Sequence, residues 1–385
     1  MENNMKHAKL SHLLPILFSF FIMGFVDVVG IATSYVKQDF GLNDKLANLL
    51  PMMVFLWFAV FSLPTGMLMG RVGRKRMVLI SAAVTSVAML IPLISYTFPY
   101  ILVAFALLGI GNTILQVSLN PLLTDVVRRD RITSMLSLGQ FVKAISSFLG
   151  PILAGSAAGY FGNWKLIFPV YAIATILSFI WLLCTPIEES QEATAESAGY
   201  KVVALLKNKK LLFLFSIIVL IVGFEIGLMT AVPKYLLERF NMPLDQGALG
   251  CSLYYAARTL GTFIGAILLA KVSSGRFMKV TLTGAILFFL FFMTVGNEWV
   301  LMGSLFLVGL CCANVFAVVF STAMQTDPSK ANEISALMIM GVAGGALIPP
   351  IMGAVADATN QLASLFVLLI TLVYIFICSI YIIKN

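Results

Sequence analysis

Long apolar runs separated by short polar turns dominate the chain, and their length decides what they form. Twelve can be placed, at residues 11–36, 46–70, 75–97, 99–126, 133–160, 163–185, 209–238, 245–270, 276–296, 298–325, 332–357 and 360–383. A helix needs roughly 20 predominantly apolar residues to cross a bilayer, and these runs meet that length. They are continuous rather than alternating, which excludes barrel strands. Inside hydrocarbon every backbone polar group must be satisfied within the chain, so helices are what remains. The pattern predicts an all-α integral membrane protein of twelve transmembrane helices, spans 1 to 12.

Composition agrees. Of 385 residues, 60% are hydrophobic and 11% charged, with a mean hydropathy of +0.99, whereas soluble domains carry about 25% charged residues. Lys6 and Lys9 precede the first run without a small-residue cleavage site, so that run is expected to be a retained helix rather than a removed leader. A net charge of +8 invites a nucleic-acid reading, but its placement points elsewhere. Eighteen of the 25 Lys and Arg fall on one side of the predicted spans, five on the other, and Lys143 and Arg258 within spans. This bias places both termini in the cytoplasm of a bacterial inner membrane. No nucleic-acid partner is expected.

Cys184, Cys251, Cys311, Cys312 and Cys378 all lie in apolar runs without metal-ligand spacing, and no metal or cofactor is expected. His7 and His12 both precede or open span 1, so a titrating group at mid-membrane must be a carboxylate. A nucleophile paired with a base, a metal cluster and a phosphate loop are all missing from the sequence, and the chain is not expected to be an enzyme.

A polar stretch at 186–208, carrying Glu188, Glu189, Glu192 and Glu196, divides residues 1–185 from 209–385 as two six-helix bundles joined by a cytoplasmic linker. Short echoes suggest duplication. Gly24 to Asp27 in span 1 resembles Gly223 to Glu225 in span 7, and Gly150 to Leu153 in span 5 resembles Pro349 to Met352 in span 11.

The turn between spans 2 and 3 holds Gly66, Gly70, Arg71, Gly73, Arg74, Lys75 and Arg76. It resembles the major facilitator signature of glycine, three residues, aspartate, a basic residue, any residue, glycine and two basic residues. Gly66, Arg71, Gly73 and Arg74 are the expected cytoplasmic gate, small residues letting spans 2 and 11 approach and basic ones capping helix ends. Gly70 stands where the family has aspartate, which weakens a charge-relay gate; a plain positive cluster is the alternative. Within that superfamily the chain is similar to the L-fucose permease group of sugar transporters. The resemblance rests on Phe20 to Phe25, Leu115 to Pro121, Val222 to Gly227 and, most specifically, Gly344 to Ala358. It implies two six-helix bundles with substrate bound between them at the midplane. Departures bear on mechanism: the group's span 4 carboxylate is Gln116 here, its span 1 carboxylate lies one turn on, near Ile31, and its span 5 asparagine aligns with Lys143.

Charges inside spans are rare because each costs roughly 2.5–3.5 kcal/mol to insert. Asp27 and Glu225 are the acids near mid-span, Lys143 and Arg258 the bases, so each half has one of each. They are the candidate proton-coupling residues. An Asp27 and Lys143 pair would be either a proton switch or a static link between spans. Glu225 and Arg258 would couple, bind sugar hydroxyls or lock spans 7 and 8.

A sugar site needs donors and acceptors with an aromatic face. Asn112, Gln116 and Asn120 share one face of span 4, and Gln140 shares a face of span 5 with Lys143. With Asn314, Trp57 and Tyr254 they are the candidate substrate-binding residues, and Tyr255 is a further possible platform. Each amide has an alternative role in interhelical bonding, worth about 0.6 kcal/mol. The expectation is a monomeric secondary transporter importing a monosaccharide or sugar derivative with a proton, sodium remaining open as the coupling ion. The alternative is a proton-driven exporter of drugs or metabolites.

Overall fold

The computed structural model describes residues 10–42, 46, 49–187, 205–241 and 244–382, so the boundary expected at 186–208 falls largely outside them. Helices occupy all twelve predicted spans. Among the described residues, eleven helices are long and apolar enough to cross a membrane. The helix outside that count, Leu244–Leu268, carries Arg258 near its centre.

Polarity is inverted relative to a soluble bundle. On span 6, Ile173, Ile176, Leu177, Ile180 and Leu183 form an exposed stripe at helical spacing, while Thr175 and Ser178 on the opposite face are buried. Span 12 repeats this with exposed Ile370, Val373 and Ile377 against buried Thr371 and Ser379. An apolar exterior with hydroxyls inside suits lipid as solvent. The inner hydroxyls bond mostly within their own helices, as Thr175 does to the Tyr171 carbonyl.

Two compact units divide the chain: residues 1–132, 142–204 and 327–340 form one, and 133–141, 205–326 and 341–385 the other. In the first, span 4 packs on spans 1, 2 and 3, while span 6 packs on spans 1 and 3. In the second, span 10 packs on spans 7, 8 and 9, while span 12 packs on 7 and 9. The same neighbours recur six spans apart, which is the architectural form of the duplication that the sequence echoes suggest.

Three spans predicted as single helices are broken. Span 1 consists of Leu10–Met23, a 3-10 turn at Gly24–Val28 and Val29–Phe40. Span 10 breaks between Glu298–Cys312 and Val315–Thr326. Span 11 has Ala331–Met340, a 3-10 segment at Gly341–Ala346 and Ile348–Ala358. There the cause is composition: Gly341, Gly344 and Gly345 lower helix propensity, and Pro349 and Pro350 lack the amide hydrogens that would continue the ladder. Close approach uses the same glycines, since a Cβ on Gly344 would collide with the Val219 carbonyl of span 7.

Candidate functional site

In the first unit the predicted residues gather around the span 1 break. Four of the five residues of Gly24–Val28 are buried; Asp27 is exposed. The turn is held from three sides. A Cβ on Gly24 would lie 2.5 Å from the Lys143 carbonyl oxygen and 2.8 Å from Ser146 Cβ, so spans 1 and 5 touch there. Phe25 stacks on Tyr171 of span 6 with ring centroids 3.7 Å apart. From span 4, Asn112 Nδ2 donates to the Met23 carbonyl at 2.8 Å.

That last bond belongs to a ladder. Gln116 Nε2 donates to Asn112 Oδ1 at 2.7 Å, and Asn120 Nδ2 to the Gln116 carbonyl at 2.7 Å, all three residues being buried. The predicted shared face is thus real, and much of its hydrogen-bonding capacity serves the helices. Asn120 Oδ1 makes no hydrogen bond among the described residues, nor does Trp57 Nε1. Trp57 packs edge-on against Phe61 and borders Gly109 of span 4.

The anticipated Asp27 and Lys143 pair is corrected. No ion pair joins them among the described residues; Asp27 Oδ2 instead accepts a hydrogen bond from Ser147 Oγ at 2.5 Å. Ser147 lies four residues beyond Lys143, on the same helix face, and its hydroxyl also lies 3.0 Å from the Lys143 carbonyl. The expectation weighed charge against charge and overlooked a hydroxyl one turn on, although the spacing of Lys143 and Ser147 carried the signal.

Of the gate residues, Gly66, Gly73 and Arg74 have defined work in the first unit. A Cβ on Gly66 would collide with Ala336 Cβ, so span 2 and the first half of span 11 meet where that side chain is missing. Gly73 adopts φ 96°, a conformation that favours glycine, and separates Leu49–Val72 from Arg74–Ile94. Arg74 is buried; its Nη1 lies 2.5 Å from Asp125 Oδ1 at the end of span 4, and its Nε donates to Asn332 Oδ1 of span 11 at 2.9 Å. Lys75 Nζ donates to the Leu183 and Thr185 carbonyls at the end of span 6. Arg71 is exposed, outside this cluster. With glycine at position 70, the buried acid beside the basic cluster is Asp125, which sequence reasoning missed because it weighed acids at mid-span alone.

A second polar cluster in this unit was also not anticipated. Asp39 accepts from Tyr96 Oη at 2.5 Å and Trp164 Nε1 at 2.9 Å, tying the end of span 1 to the turns before spans 4 and 6. Burial, then the bond to Asp39, raises the Tyr96 hydroxyl well above the ordinary tyrosine range, so it stays a donor.

In the second unit Glu225 and Arg258 form the expected pair, Arg258 Nε to Glu225 Oε1 at 3.1 Å. It joins the unbroken helix Lys209–Phe240 to Leu244–Leu268. Tyr254, one turn before Arg258, is fully buried, and its hydroxyl makes no hydrogen bond among the described residues. Tyr255 is exposed. Asn314 sits in the span 10 break, where its Nδ2 donates to the Gly261 carbonyl at 2.6 Å and its Oδ1 has no partner among the described residues. Its side chain fills the space that a Cβ on Gly265 would need. Gln140 is half-buried and belongs to this unit, whereas Lys143 belongs to the first. A cavity of about 610 Å³ lined by Lys209, Lys210, Phe213, Ser274, Gln325 and Tyr381, among others, contains none of the predicted site residues.

Twelve helical spans whose packing recurs six spans apart, with charged residues held within them, are the architecture of a membrane transporter of the major facilitator type. The two units do not divide at 186–208 alone: residues 133–141 of span 5 fall with the second and 327–340 of span 11 with the first. The Major Facilitator Superfamily profile matches residues 16–350, and the chain belongs to that family. It is 26% identical over 357 residues to the glucose/galactose transporter of Brucella abortus, covering 88% of this chain and 86% of that one. To the glucose/mannose transporter GlcP of Bacillus subtilis it is 20% identical over 358 residues, covering 87% and 85%. Its fold matches a solved structure of the E. coli fucose:proton symporter FucP with a TM-score of 0.86 at 14% identity, over 98% of this chain and 100% of that one. At that identity the likeness to FucP is one of fold. Membership in this family makes the chain a transporter, not an enzyme.

Proposed function

We propose that the chain is a monomeric secondary active transporter that brings a monosaccharide into the cell with a proton, by alternating access. Its setting is a bacterial inner membrane with both termini in the cytoplasm. The sugar reading draws on the glucose, galactose and mannose transporters that the chain resembles over most of its length. The observation that carries the coupling is the position of Asp27: the one exposed residue of a five-residue turn whose neighbours are buried. An acid that reaches the outside of its unit can exchange a proton with water, and one on a helix break can pass its charge state to the two half-helices.

Asn120 Oδ1 and Trp57 Nε1 in the first unit, and Asn314 Oδ1 and Tyr254 Oη in the second, are buried without a hydrogen-bond partner among the described residues, and would meet sugar hydroxyls where their unit opens to admit substrate. Gln140 is assigned to the same role. Arg74, with Gly66, Gly73 and Arg71, acts as the cytoplasmic gate. Glu225 and Arg258 hold spans 7 and 8 together.

The test is uptake of labelled glucose, galactose and mannose by cells expressing the chain, with and without a protonophore. Accumulation should collapse with the protonophore, and Asp27→Asn should retain sugar exchange while losing accumulation against a gradient. An Asp27→Asn protein that still accumulates sugar would remove Asp27 as the coupling residue. Protonophore-stimulated retention would instead favour export.

A further inference from the structure

We infer that Ser147 is the positioning residue of the coupling step, its hydroxyl aiming the Asp27 carboxyl and changing partner with the charge on that group. The inference rests on Asp27 as the coupling acid.

Ser147 Oγ has two acceptors within reach, Asp27 Oδ2 at 2.5 Å and the Lys143 carbonyl oxygen at 3.0 Å. A serine hydroxyl has one hydrogen, so it satisfies one of them at a time. The bond to the carbonyl four residues back is the ordinary resting place of a serine in a helix; the bond to Asp27 crosses from span 5 to span 1. An ionised carboxylate only accepts, so it draws the Ser147 hydrogen to itself. When a proton from water converts the carboxylate to an acid, Asp27 gains a hydrogen of its own to donate. Ser147 can then turn its hydrogen back to the Lys143 carbonyl and accept from Asp27 through its oxygen. Loss of that proton to water restores the first arrangement, and no other atom need leave.

The surroundings favour a local change of this kind over a swing of the backbone. Gly24 leaves no space between the turn and the span 5 backbone, Phe25 is stacked on Tyr171, and Asn112 holds the Met23 carbonyl. Among the described residues, the groups that meet the turn are the Lys143 carbonyl, Ser146 and Ser147 from span 5, Tyr171 from span 6 and Asn112 from span 4; Lys143 forms no ion pair with Asp27, and Ser146 Oγ makes no hydrogen bond. Gln116, which stands in place of the family group's span 4 carboxylate, reaches the same turn through Asn112. The span 4 position therefore supports the turn, and the exchangeable charge sits on Asp27.

The test needs no knowledge of the sugar. In the full chain reconstituted in liposomes, the infrared C=O band of the protonated carboxyl is assigned to Asp27 by its loss in Asp27→Asn. Ser147→Ala should shift the frequency of that band, because the acid has lost the hydroxyl it bonds to. Ser147→Thr, which keeps the hydroxyl, should return the band to its wild-type position. A band unmoved in Ser147→Ala overturns the inference while leaving Asp27 as the coupling acid; failure of Asp27 itself is read separately, from accumulation by Asp27→Asn. If Ser147→Ala does not fold, Ser147→Cys, a weaker donor of nearly the same shape, takes its place with the same two outcomes.

Discussion

Asp27 and Glu225 occupy matching places in spans 1 and 7, yet their surroundings differ. Asp27 lies on a 3-10 break, is exposed, and has a serine hydroxyl for a partner. Glu225 lies in an unbroken helix, is buried, and is paired with an arginine 3.1 Å away. Removing either partner of an acid and guanidinium pair takes away the charge that matches the other. An acid met by a hydroxyl can be bonded in either protonation state, because the hydroxyl both donates and accepts. Two acids at matching places thus have different partners, a guanidinium for Glu225 and a hydroxyl for Asp27.

Stability measurements on the purified protein can break this contrast. The largest effect belongs to Glu225→Gln, which removes the carboxylate paired with Arg258 and should cost about 3 kcal/mol. The double variant Glu225→Gln with Arg258→Gln should recover most of it, and a single variant melting like the wild type would remove the cohesive role. Asn112→Ala comes next, at about 2 kcal/mol, because the Met23 carbonyl and the buried Gln116 amide lose their partner together. Asp27→Asn should change melting by no more than about 0.5 kcal/mol, as an exposed residue does, while abolishing accumulation; a loss as large as that of Glu225→Gln would make the two acids equivalent.

The smallest effect is expected at Asp327, a solvent-side reference between spans 10 and 11. The Ser329 hydroxyl first, and then Lys330, hold its carboxyl below the usual aspartate range. The stability it adds is present above its unfolded-state value and is lost as pH falls through the folded one. Ser329→Ala should therefore flatten the acid limb of a melting-temperature profile, with a change at neutral pH of no more than about 0.5 kcal/mol after solvent screening.

Much of this was legible from spacing. Apolar run length located the twelve spans, and Asn112, Gln116 and Asn120, four apart, do share a buried face. Gly66 is at a close approach of spans 2 and 11, as small residues in a membrane helix suggest. Partners were harder to read. Lys143 looked the natural mate of Asp27, but attraction between charges acts in all directions while a hydrogen bond depends on where each side chain points. The breaks in spans 1 and 10 were not visible because glycine and asparagine within an apolar run are also compatible with an intact helix. Asp125 and Asn332, 207 residues apart in sequence, meet on Arg74.

By itself, then, the sequence determined that the chain lives in lipid, how many times it crosses and which four charges it carries near mid-span, because hydrophobic burial depends on composition and period alone. Tertiary structure decided which of those charges are tied and which is left to a hydroxyl. Such a choice turns on differences of an ångström or two between helices brought together from distant parts of the chain, and sequence spacing holds no record of them.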